Sequence, residues 1–296
     1  MTRLGQRVSL SLRQTLVLGA VALTLMALAP SASAFTFTTI DFPAAAQTEA
    51  WGINRAGQIV GVYNYGSGGW HGFLRNLDGT FTTIDVPGAL QSEARGINNA
   101  GQIVGLYNYG SAWQGFLRNR DGTFTTIDVP GATETYALGI NRAGQIVGTY
   151  VDAGLAHGFL RNLDGTFTTI DVPGAMSTEA DGINKAGQIV GVYVDAAGRH
   201  GFLRNTDGTF TTFDFPGVQG RGATASGVSG KKIVGWYSTG DGIPHGFLRS
   251  ARGTFTTIDV PGHEPPMTEA YGISGKKIVG TFYDRNGILR GFLATP

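Results

Sequence analysis

The sequence repeats itself, and the period limits the fold more tightly than any other feature. A phenylalanine opening an FTTIDVPGA-like element falls at Phe37, Phe81, Phe124, Phe167, Phe210 and Phe255. The spacings are 44, 43, 43, 43 and 45 residues, with no spacer between copies. Helical repeats of this length need long stretches with apolar residues every three to four positions. None is present. Each copy instead holds four short segments rich in Val, Ile, Phe, Tyr and Thr, separated by Gly-containing turns, which is the signature of four strands. Four strands in about 40–50 residues is the size of one propeller blade. The 47 glycines and 15% charged residues fit a chain built from tight turns.

The turns set the expected register. Asn76-Leu77-Asp78-Gly79-Thr80 has the grammar of a type I turn followed by a left-handed Gly. It places Phe73 opposite Thr83 and His71 opposite Asp85. Asn54-Arg55-Ala56-Gly57-Gln58 does the same for Ile53 and Ile59. In copies five and six this turn is one residue shorter, and the two-residue turn at Gly230-Lys231 puts Val228 opposite Ile233. The Pro-containing PGAxxTEA segment suits a crossing between blades better than a hairpin ladder. Each blade then runs AxGIN (innermost), QIVGxY, HGFLRN and FTTIDV (outermost). In this phase the chain opens on an outermost strand, from Phe35 to Asp41, and ends on a third strand, from Gly291 to Thr295. The expectation is an all-β, six-bladed propeller whose N-terminal strand completes the last blade and hides the sheet edges.

Residues 1–34 stand apart. Arg3, Arg7 and Arg13 precede an apolar run from Leu16 to Ala29, followed by Pro30 and Ala32-Ser33-Ala34. This order predicts a secretory signal cleaved before Phe35, leaving residues 35–296 as the propeller domain. The apolar run is shorter than the roughly 18–20 residues of a membrane span. A secreted protein, extracellular or periplasmic and without a membrane span after cleavage, is expected. A monomer is expected too. A formal charge of +1 provides no basic field, so nucleic acid is not expected as a partner. With no cysteine, disulfides, thiol nucleophiles and thiolate metal sites are excluded.

The elements GINxxGQIVG, HGFL and FTTIDVPGA, which run through nearly the whole chain after residue 34, resemble the HAF-type probable extracellular repeat family of bacteria. The family's His-Ala-Phe element reads His-Gly-Phe here. Copies five and six depart from the pattern at GVSGKKIVG and GISGKKIVG. The resemblance implies a secreted repeat protein and carries no assigned chemistry.

Several residue types invite a functional reading. His71, His157, His200 and His245 each precede an aspartate by fourteen residues. The same position holds Gln114 and Arg290 in the other copies, while Asp41, Asp85, Asp128, Asp171, Asp214 and Asp259 occur in every copy. Gln and Arg are poor metal ligands, but like His they donate hydrogen bonds. A structural donor–carboxylate pair is therefore expected, with no metal site, catalytic residue or cofactor. The NxDG turn resembles part of a calcium loop but starts on apolar Leu74, where calcium needs an oxygen.

Sixfold repetition also argues against a singular catalytic constellation, so the positions that break the pattern carry the information. One is the residue before Gly in the innermost strand: Trp51, Arg95, Leu138, Asp181, Ser226 and Tyr271. The other is the loop between the second and third strands, where Tyr65 with Trp70 and Tyr109 with Trp113 are the most distinctive. Strand direction puts both at one face of the ring. A constant scaffold with variety at one end is the layout of a binding surface. Aromatic rings beside amides and charges suit a glycan, with a peptide or surface polymer as alternatives. An equal claim on these rings is that they pad the contacts between blades. Trp51, Tyr65, Trp70, Arg95, Tyr109, Trp113, Asp181 and Tyr271 are the candidate ligand-binding residues of a non-catalytic module. A propeller lyase or glycosidase would instead need residues such as Arg95, Asp181 and Glu134 to converge, and a purely structural repeat protein would need neither.

Overall fold

The computed structural model describes residues 35–218, 222–262 and 264–296. The segment read as a secretory signal lies outside the described residues. The described chain forms six four-stranded antiparallel sheets arranged as the blades of a propeller. The first blade is built from Gln47–Ile53, Ile59–Asn64, His71–Arg75 and Phe81–Ile84, from the inside outwards. Its register is the one the turns dictate: Ile53 faces Ile59 and Phe73 faces Thr83. Gly79 holds φ at 87°, in the left-handed region the turn requires, and Asn76 N–H donates to the Thr80 carbonyl at 2.8 Å. Asp78 Oδ1 accepts from both the N–H and the hydroxyl of Thr80, at 3.0 and 2.7 Å. The NxDG carboxylate is thus committed to its own turn. In the fifth blade the shorter turn also restores the ladder, with Val228 opposite Ile233.

The sixth blade joins the two ends of the described chain. Thr36–Ile40 pairs antiparallel with Leu289–Thr295, Thr36 facing Thr295 and Ile40 facing Gly291. Arg290 Nη1 donates to Asp41 Oδ1 at 2.6 Å across 249 positions of sequence. This is the partner the repeat phase demands once the outer strand of the last blade comes from the N-terminal side. The other histidines pair as their spacing predicts, with Nδ1 2.9 Å from Asp85 in His71, 3.0 Å from Asp171 in His157, 2.8 Å from Asp214 in His200 and 3.0 Å from Asp259 in His245. Gln114 differs. Among the described residues it makes no hydrogen bond to Asp128, whose carboxylate accepts from the Thr135 hydroxyl at 3.1 Å. A carboxamide side chain is shaped unlike an imidazole, and the Thr135 hydroxyl of the next blade's innermost strand satisfies the acid instead.

Blades pack through one large side chain each. Phe73, Phe116, Phe159, Phe202, Phe247 and Phe292 are buried to within 1% exposure, and each is worth roughly 1.5–3 kcal/mol of apolar burial. Room for each ring comes from a glycine on the second strand: a Cβ on Gly61 would lie 2.8 Å from the Phe73 ring and 1.9 Å from the Glu49 carbonyl. On the side of the uniform turns, buried asparagines tie blade to blade. Asn54 Nδ2 donates to the Asn98 carbonyl at 3.3 Å, and Asn98 Nδ2 to the Asn141 carbonyl at 3.2 Å.

The innermost strands hold a feature that alternation alone does not provide. In every blade the ladder slips by one residue, as between Ala50 and Gly52, which face Gly61 and Val60. The same slip recurs in the other five blades. The skipped residue is the variable one: Trp51, Arg95, Leu138, Asp181, Ser226 or Tyr271. The glycine after it meets its neighbour in the next blade. A Cβ on Gly52 would lie 3.3 Å from Gly96 Cα, and the relation passes through Gly139, Gly182, Gly227 and Gly272 back to Gly52. Six backbones thus touch in a closed ring around the axis.

Candidate functional site

The bulges deliver six unlike side chains into the central channel. A cavity of about 660 Å³ lies over them and is lined by Trp51, Arg95, Leu138, Asp181, Ser226 and Tyr271 together with groups one step further up the strands. This is within the usual range of ligand sites, about 300–1,000 Å³. Towards the uniform turns the channel narrows to a space of about 90 Å³ walled by the glycine ring and the isoleucines beside it.

On one side of the channel the lining is fixed by stacking. The Trp51 and Tyr271 rings lie 3.9 Å apart and 17° from parallel. The Arg95 guanidinium carbon is 3.7 Å from the Trp51 ring, close enough for a strong cation–π contact. Arg95 also donates to the Glu93 carboxylate, and the Tyr271 hydroxyl donates to Glu269. Blades six, one and two are thereby joined across the bore, and the faces of Trp51 are engaged by protein groups.

The other side is less committed. Asp181 has no hydrogen-bond or ion-pair partner among the described residues. Burial pushes its carboxyl well above the usual range and the Glu179 charge adds to this, against the pull of Arg199 and Arg95. Arg199 Nη1 donates to the Thr224 hydroxyl at 3.3 Å. Thr149 is 6% exposed, and its hydroxyl has no partner among the described residues although the side chain lines the cavity. Trp113 and Trp236 line the same space, and among the described residues neither stacks on another ring. Behind the lining, burial lifts Glu49 to about 7, Glu93 and Glu269 adding to the effect and Arg95 opposing it. Burial also raises Glu269.

Five of the residues singled out from sequence, Trp51, Arg95, Trp113, Asp181 and Tyr271, are brought together here. Tyr65, Trp70 and Tyr109 are not part of this lining. Tyr65 and Tyr109 are exposed, at 54% and 55%, each edge-on to the tyrosine two residues before it. Trp70 is half-buried, and its carbonyl accepts from Ser92 N–H of the next blade at 2.9 Å. Trp113 has the same bond, to Thr135 N–H, so both tryptophans sit at blade junctions. Of the trio an enzyme would need, Arg95 and Asp181 reach the cavity, whereas Glu134 is outside its lining and accepts from the Tyr136 hydroxyl.

Sequence reasoning missed Glu93, Thr149, Glu179, Arg199, Trp236 and Glu269. Comparing copies at two more positions would have found five of them, all but Arg199. The residue two before the bulge reads Glu49, Glu93, Tyr136, Glu179, Thr224, Glu269. A second-strand position reads Val62, Leu106, Thr149, Val192, Trp236, Thr281.

The fold and the channel define a six-bladed β-propeller with a chemically irregular bore. Neither a protein-family model nor a curated protein matches the chain. Solved structures do. Virginiamycin B lyase from Staphylococcus aureus is 12% identical with a TM-score of 0.54, over 89% of this chain and 100% of that one. TolB from Acinetobacter baumannii is 12% identical with a TM-score of 0.58, over 85% and 64%. The Aleuria aurantia lectin is 13% identical with a TM-score of 0.53, over 86% and 93%. At this identity the likeness is one of fold.

Proposed function

We propose that the protein is a secreted, non-catalytic binding module that holds a glycan in the wide mouth of its central channel. The observation that carries this reading is the contrast between frame and lining. Strands, turns and the buried phenylalanines repeat blade by blade, while the combination of groups facing the cavity differs from blade to blade. Trp113 and Trp236 offer ring faces with no aromatic partner, beside carboxylates, a guanidinium and a hydroxyl that can bond sugar hydroxyls. The fold is also that of the Aleuria aurantia lectin, whose structure is a complex with Fucα1-6GlcNAc. Secretion rests on the order of charged, apolar and small residues in positions 1–34 and on the resemblance to HAF-type extracellular repeats. Among the described residues no helix is long and apolar enough to cross a membrane.

The test is a glycan and peptide array probed with the protein and with Trp113→Ala and Trp236→Ala. Retention of a glycan by the protein, weakened about tenfold or more by either substitution, is expected, since stacked aromatics dominate such contacts. Retention of peptides alone, or binding indifferent to both tryptophans, would overturn the reading. One observation favours a second reading, a lyase or glycosidase: Arg95 and Asp181, two of the groups such chemistry would need, both line the cavity. Turnover of an arrayed glycan, abolished by Asp181→Asn, would establish it.

A further inference from the structure

We infer that the glycan held in this channel carries free ammonium groups, as a deacetylated amino sugar does. The inference rests on the channel reading above and adds the charge of the ligand. The cavity lining has more acid than its own cations can neutralise. Glu93 is answered by Arg95, whose guanidinium is also spent on the Trp51 face. Glu269 is answered only by a neutral phenol. Glu179 and Asp181, on the opposite wall, have no bonded partner among the described residues, and Arg199 is turned to the Thr224 hydroxyl. Burying carboxylates without partners is costly, and a cation entering between them recovers much of that cost.

Thr149 points the same way independently. The residue is 6% exposed and lines the cavity, and its buried hydroxyl lacks a partner among the described residues. A group that is buried and unpaired within a wall is completed by what fills the space. A hydroxyl oxygen has lone pairs that can accept a hydrogen bond from an ammonium. Burial, the chief cause that raises Glu49, Asp181 and Glu269, adds to the cost of keeping these acids charged without a cation beside them. Trp236 supplies an open ring next to these acids, and the face of an indole attracts an ammonium as well as a sugar. An anionic sugar, for which Arg199 and Arg95 supply donors, would face the four carboxyls of the lining, Glu93, Glu179, Asp181 and Glu269.

The experiment uses three tetrasaccharides of matched length: β-1,4-linked glucosamine, its fully N-acetylated counterpart, and a uronate oligomer. Binding is read by calorimetry on the protein, on Asp181→Asn and on Trp236→Ala. The glucosamine oligomer is expected to bind about tenfold or more tightly than the acetylated one, as close charge pairs in a desolvated site do. Asp181→Asn should erase most of that preference, and an unchanged melting curve for the variant separates lost charge from lost fold. Equal affinity for the two oligomers, with both lost in Trp236→Ala, overturns the ammonium and leaves the glycan reading standing. Preference for the uronate also overturns it. If none of the three binds, the ammonium inference fails, and the array decides whether the glycan reading fails with it.

Discussion

Glu49 offers a quantitative test of the channel's electrostatics. Its carboxyl is lifted from 4.5 to about 7, chiefly by burial, with Glu93 and Glu269 adding and Arg95 opposing. The folded protein therefore holds this proton more tightly than the unfolded chain. The stability that follows is fully present below pH 4.5 and is lost as pH rises through 7. At 1.36 kcal/mol per unit, the loss is about 3 kcal/mol. Glu49→Gln keeps the shape of the side chain and cannot ionise. Urea unfolding at intervals from about pH 4 to about pH 8, with one m-value for both proteins, measures the difference. The Gln variant should gain about 3 kcal/mol relative to the parent across that range. Asp181 and Glu269 titrate in both proteins and cancel in the comparison. Parallel pH profiles would refute the argument, because they would mean that water reaches Glu49 and keeps it an ordinary acid.

Three further outcomes are expected. Arg290→Ala should cost about 1 kcal/mol, the upper range for a half-exposed pair, and should lower the melting temperature more than His157→Ala, whose partner lies fourteen residues further along the same stretch of chain; an equal or smaller effect would contradict the closing role of Arg290. Gly139→Ala would place a Cβ 2.9 Å from the Asp181 carbonyl and should destabilise by about 1–3 kcal/mol; an unchanged melting curve would contradict the backbone contact. N-terminal sequencing of exported protein should begin at Phe35, and a mature chain retaining Leu16 to Ala29 would contradict the secretory signal.

The frame was legible because it is written six times. Turn residues fixed the ladders at Phe73–Thr83, Ile53–Ile59 and Val228–Ile233, and the repeat phase alone named Arg290 and Asp41 as partners. The site was legible only in part. Alternation alone does not announce the one-residue slip that leaves Trp51 and its five counterparts unpaired in the ladder. A glycine inside a strand is a known sign of such a slip, and Gly52 stands in that place in every copy. The face of the ring drew attention to Tyr65, Trp70 and Tyr109, since loop variety is easy to see in sequence. Trp236 and Thr149 are single substitutions within otherwise regular strands, and their meaning depends on which way a second-strand residue points near the axis.

The glycine ring also sets a gauge. Because six backbones rest directly on one another, the width of the bore is fixed by main-chain atoms, and no lining side chain holds the blades apart. Exchanging Trp51, Arg95, Leu138, Asp181, Ser226 or Tyr271 therefore changes what the channel offers without changing its calibre. The six positions behave as interchangeable fittings on one mount, and libraries confined to them should alter ligand preference while the assembled ring stays the same size.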